Sequence, residues 1–135
     1  MLNKIKMIGA VALLAVTMVL TSCVKENTVV GTWVISDYVI NGERDDYMID
    51  HAWTFKEDGT CKYVMGDYAE SGMWTVNGDN LKITTTNVTY NITTILDFSI
   101  VELKNNLLKL DGAYTFDVPN DGSVDHGYLK ISFTR

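Results

Sequence analysis

From Gly31 to the end of the chain, apolar and polar residues alternate in short runs, broken by turn residues at fairly even intervals. In a strand every second side chain lies on one face, so each run predicts a strand with one buried side. The runs are Gly31–Ile40, His51–Lys56, Thr60–Met65, Gly72–Val76, Leu81–Thr86, Val88–Ile100, Leu107–Leu110, Ala113–Val118 and Gly127–Arg135. Three pairs of runs read as hairpins, across Glu57-Asp58-Gly59, Asn77-Gly78-Asp79-Asn80 and Asp111-Gly112, because glycine accepts a positive φ at little cost. Short strands with turns every ~8–12 residues predict an all-β antiparallel barrel or sandwich. No stretch beyond residue 22 keeps a helical period through three turns.

Parity along the runs predicts the inward face: Trp33, Ile35 and Val39; Trp53 and Phe55; Trp74 and Val76; Leu81 and Ile83; Leu129, Ile131 and Phe133. The opposite side carries Lys82, Thr84, Thr86, Lys130 and Ser132, as expected of a sheet wrapped round a core. Val88–Ile100 breaks the alternation, and a bulge within it is expected to restore register.

The N-terminus follows a different pattern. Lys4 and Lys6 precede Met7–Leu20, which is apolar apart from Gly9 and Thr17. A membrane-spanning helix needs roughly 18–20 residues, so the run fits the apolar region of a secretory signal instead. A core helix would show polar positions every few residues, and none occur. Leu20-Thr21-Ser22-Cys23 resembles the lipobox of bacterial lipoproteins. The resemblance implies a signal at 1–22, acylation of the Cys23 thiol, and a short tether (Val24–Thr28) leading to one domain over 29–135. Each buried methylene contributes about 0.8 kcal/mol, so the acyl chains are the expected membrane partner. Val24 stands where an aspartate would favour inner-membrane retention, which points to the outer membrane, and Lys25-Glu26 hints at the cell surface.

The chain carries a net charge of −6. Without residues 1–22 it keeps nine basic and 17 acidic residues, a net −8. A domain this acidic argues against nucleic acid or anionic headgroups as partners. Cys23 is committed to lipid, so Cys61 is left without a disulfide partner and reads as a small buried apolar residue.

Candidate chemistry is sparse. His51 and His126 are far apart, and there is no His-x-His, Cys-x-x-Cys or glycine-rich phosphate loop, so an enzyme is not expected and neither is a cofactor. Asp45 and Asp46 read as solvated turn charges. Asp117–Asp125 half-matches a calcium loop, but Pro119 replaces a carboxylate and Tyr128 stands where a bidentate Glu is needed. A long hairpin turn without metal is the reading there. Asn87-Val88-Thr89 and Asn91-Ile92-Thr93 match glycosylation sequons and read instead as outward strand positions.

Gly31-Thr32-Trp33, Trp53-Thr54-Phe55, Asp58-Gly59-Thr60, Gly72-Met73-Trp74, Leu81-Lys82-Ile83 and the final Lys130-Ile131-Ser132-Phe133-Thr134-Arg135 together resemble the lipocalin-like lipoproteins of Gram-negative bacteria. The resemblance covers nearly all of the chain after Cys23. It implies an up-and-down barrel of about eight strands, with Trp33 packed at its closed end against Arg135. Tyr63, Met65, Trp74, Tyr90, Phe98 and Tyr114 are then the candidates to line a small apolar pocket; the alternative is that they fill the core. The function expected is a non-enzymatic, lipid-anchored envelope protein binding a small apolar molecule. The rival is a filled barrel engaging another protein or a glycan through acidic loops around Asp45 and Asp121.

Overall fold

A computed structural model describes residues 29–118 and 122–135. Residues 1–28, with the signal, Cys23 and tether readings, lie outside the described residues, as do Pro119, Asn120 and Asp121.

The alternating runs fold as strands β1 (Gly31–Ile40), β2 (Glu43–Arg44), β3 (Ala52–Phe55), β4 (Thr60–Met65), β5 (Tyr68–Asn77), β6 (Asn80–Asn87), β7 (Ile92–Lys104), β8 (Leu107–Val118) and β9 (Ser123–Thr134), with a 3-10 turn at Asp46–Met48. Among the described residues all pairings are antiparallel; chain neighbours pair, except that β1 rather than β2 pairs with β3, and β1 also meets β9. The first half of β1 pairs with β3 (Trp33 opposite Trp53), and the second half with β9 (Tyr38 opposite Ile131). That last ladder closes eight strands into a barrel and leaves only the two-residue β2 hooked onto β1. Closure removes the unpaired edges of an open sheet.

The β3–β4 hairpin forms as expected at Glu57-Asp58-Gly59: Gly59 takes φ +82°, and the Asp58 carboxylate accepts from the Thr60 amide (2.9 Å) and hydroxyl (2.6 Å). The β5–β6 turn is tighter than expected, because Asn77 and Asn80 are themselves paired strand residues. Two turns were not expected. Gly66-Asp67 reverses the chain between Met65 and Tyr68, so β5 begins four residues before Gly72. Asn105-Asn106 joins β7 to β8.

Asp111-Gly112 is not a hairpin. Both residues lie within the continuous β8, Gly112 opposite Phe98 on β7 and Leu129 on β9. A Cβ on Gly112 would collide with the Asp97 carbonyl and stand 2.8 Å from Phe98 Cα. Close approach of two backbones, rather than a turn, explains this glycine.

Inward parity holds for most of the expected core, with three corrections. A bulge between Ile35 and Asp37 inserts one residue into β1, so Tyr38 is buried while Val39 pairs with Arg44 and Lys130 on the other face. Val76 follows Trp74 in parity but is 37% exposed at the barrel end. The irregular Val88–Ile100 run is a turn and a strand: Val88 and Tyr90 are exposed in the turn, and Leu96 and Phe98 point inward from β7 without a bulge between them. The register shift in β7 lies further on, between Ile100 and Glu102.

Trp33, Phe55, Phe98, Phe133, Leu81 and Leu108 are fully buried towards one end, where β1 begins and β9 finishes. Each such side chain contributes roughly 1.5–3 kcal/mol on leaving water. This end is solid.

Candidate functional site

Arg135, just past β9, closes the solid end. Its Cζ lies 4.1 Å from the Trp33 ring centroid. Nε donates to the Asn105 carbonyl at 2.6 Å and Nη1 to the Val30 carbonyl at 2.9 Å. The Trp33 indole N–H donates to the Val29 carbonyl at 2.8 Å. A Cβ on Gly31 would stand 2.8 Å from Arg135 Nη1, and Gly31 takes φ +133°, so a side chain there would displace the guanidinium. The contact joins the first strand to the last and is structural.

The other end is hollow. A cavity of about 120 Å³ has Tyr38, Trp53, Tyr63, Leu96, Phe116 and Ile131 among its walls, with Glu70, Thr85 and Thr94 as polar members. A wider recess of about 380 Å³ lies at the mouth, bounded by Tyr68, Asn87, Ile92 and Asp125. Glu70, Thr94 and Phe116 border both, so the two spaces adjoin.

Strand pairing places the polar groups. Glu70 on β5 stands directly opposite Tyr63 on β4. The Tyr68 hydroxyl donates to Glu70 Oε2 at 2.7 Å and accepts from Asn87 Nδ2, while Asn87 Oδ1 holds the Tyr90 amide at 3.1 Å. Beside the cavity, His51 Nδ1 and the Tyr63 hydroxyl are 3.0 Å apart, with Met48 Sδ 3.8 Å from that hydroxyl. Burial pushes the Tyr63 phenol well above its usual range and Tyr38 up to about 12, with Asp45 and Tyr114 adding to the latter. The Tyr68 phenol is raised by burial and by its bond to Glu70. All three stay protonated at neutral pH and offer hydroxyl groups rather than charge.

Of the six residues expected to line a pocket, Tyr63 is on the cavity wall. Phe98 and Tyr114 belong to the packed core, and Tyr114 hydroxyl accepts from Asn41 Nδ2 at 3.2 Å. Trp74 packs edge-on against Phe55 and donates its indole N–H to the Lys56 carbonyl at 3.0 Å, near the solid end. Tyr90 is 65% exposed on the β6–β7 turn. Met65 is half-buried at the last position of β4, outside both walls. Core filling thus claims Phe98 and Tyr114. Tyr68 and Glu70 were missed because the unrecognised Gly66-Asp67 turn left 66–71 out of any strand, and Asn87 because it follows the run ending at Thr86. Their signal was present: Tyr68 and Glu70 share the parity of Trp74.

Asp45 caps the 3-10 turn by accepting from the Tyr47 amide, and Asp46 pairs with Arg44 at 2.6 Å. Asp121 lies outside the described residues, and Asp117 and Asp125 sit in the β8–β9 ladder. Among the described residues, no group of three His, Cys, Asp or Glu is disposed to hold a metal. Asn87 ends β6 and anchors the mouth turn, whereas Asn91 takes φ +52° within it, so neither sequon asparagine is a plain outward strand position. Cys61 is a buried free thiol, which burial pushes up to about 11.

The lipocalin-like domain family matches residues 29–110, more than half of the chain and most of this barrel. The chain belongs to the lipocalin-like domain family. No curated protein and no solved structure matches it significantly. A lipocalin-like barrel with one solid and one hollow end fits a small-ligand binding module.

Proposed function

We propose that this lipocalin-like protein binds a small, largely apolar molecule in the open half of its barrel, without catalysing a reaction, while a lipid on Cys23 holds it at the outer membrane. One observation carries the binding reading: the cavity adjoins the mouth recess and has an apolar wall of Trp53, Leu96, Phe116 and Ile131. Concave apolar sites with a few placed polar groups are the usual form of small-molecule sites. The inner space alone is too small for more than a ligand's tip, so the ligand extends into the recess. Support for the anchor comes from the apolar run Met7–Leu20 and the lipobox-like Leu20–Cys23.

Native mass spectrometry of the protein extracted from its own membrane with mild detergent tests the binding reading. A non-covalent mass increment that disappears on denaturation is expected. A bare mass, together with no thermal shift on adding apolar probes such as octanol, overturns it. For the anchor, Cys23→Ser is expected to move the protein out of the membrane fraction, and retention there overturns that part.

A further inference from the structure

The charge on the cavity walls is one-sided. Among the described residues, the charged groups bordering the cavity and its mouth are Glu70 and Asp125, both acidic. The basic side chains that form ion pairs do so elsewhere: Arg44 with Asp37 and Asp46, Lys104 and Lys109 with Glu102. Glu70 receives one hydroxyl, from Tyr68, on Oε2. A carboxylate drawn partly out of water gains most from a cationic hydrogen-bond donor, and a charge-assisted bond is roughly twice as strong as a neutral one.

The rings beside it have matching chemistry. Tyr63 stands directly opposite Glu70, and its ring lies 4.9 Å from that of Trp53. Tyr38 and Phe116 complete an aromatic wall. Ring faces attract cations, most strongly where water is excluded. A carboxylate among aromatic faces favours an ammonium group and repels an acidic one.

We infer that the ligand is a cationic amphiphile, an amine whose nitrogen meets Glu70 at the boundary between cavity and mouth while its apolar body lies along Trp53, Tyr63 and Phe116. This rests on the binding reading above and adds the ligand's charge. Fatty acids and other apolar anions are disfavoured by the same carboxylates.

Calorimetric titration with octylammonium, octanol and octanoate at neutral pH and low salt tests it. On the unmutated protein, octylammonium is expected to bind about 10-fold more tightly than octanol, with octanoate the weakest. In Glu70→Gln, shown folded by its thermal transition, the advantage of octylammonium over octanol should disappear. Equal binding of all three to the unmutated protein overturns the inference and leaves the apolar site standing, as does a preference that survives in folded Glu70→Gln. Failure of all three to bind overturns the binding reading as well. The ranking on the unmutated protein decides the matter even where the variant does not fold.

Discussion

Trp33 combines burial, a hydrogen bond to Val29 and a guanidinium stacked on its ring face, all where the first strand meets the last. Trp33→Ala should therefore cost about 3–5 kcal/mol, as large core truncations do, read from urea unfolding. Arg135→Ala leaves the indole in place and should cost about 0.5–2 kcal/mol. Titration of two buried side chains sets a second expectation. Burial raises Cys61 from the usual 9.0 to about 11, and Tyr38 from 10.0 to about 12. The folded state then holds each proton more tightly than the unfolded chain. Stability is complete below pH 9 and falls as pH rises to 11 and then 12, by at most about 1.4 kcal/mol per pH unit per group. Urea midpoints measured from pH 8 to 11 should decline, and Cys61→Ala should delay the onset by about one unit.

Among the strands, β8 and β5 show why local signals misled. Asp-Gly is a strong hairpin signal, and in isolation Asp111-Gly112 would turn. Here the pairing of β8 with both β7 and β9 runs straight through it. Gly112→Ala must push its Cβ into the β7 backbone at Asp97 and Phe98, and should cost about 1–3 kcal/mol in thermal unfolding. Gly66-Asp67 was the converse: a real reversal flanked by runs too weakly alternating to declare it. Missing that turn hid the strand carrying Tyr68 and Glu70, and with it the polar side of the site. The bulge in β1 was equally invisible, since it serves a ladder to β9 nearly a hundred residues away.

Across the whole barrel, the division into a solid and a hollow end predicts uneven stability. Amides at the solid end, such as those of Ile83, Leu108 and Phe133, should exchange with deuterium only through global opening. Amides bordering the cavity, such as those of Tyr68 and Thr94, should exchange sooner. Ligand at about 100 times its dissociation constant should add about 2.7 kcal/mol and slow exchange at the hollow end most.

The alternation along the chain was sufficient to determine an all-β barrel or sandwich and most of its core, because a period of two is a local property of each strand and burial selects it directly. The closing contact of Trp33 with Arg135 was legible only through the resemblance of Gly31-Thr32-Trp33 and the final Arg135 to lipocalins. Which aromatics fill space and which surround it was decided only by the closed barrel. Phe98 and Trp53 look alike in sequence and both are buried, but only Trp53 also borders the cavity, according to strand pairing and distance from the mouth. The charge of the site has the same origin: Glu70 becomes part of a pocket only when β4 and β5 set it opposite Tyr63.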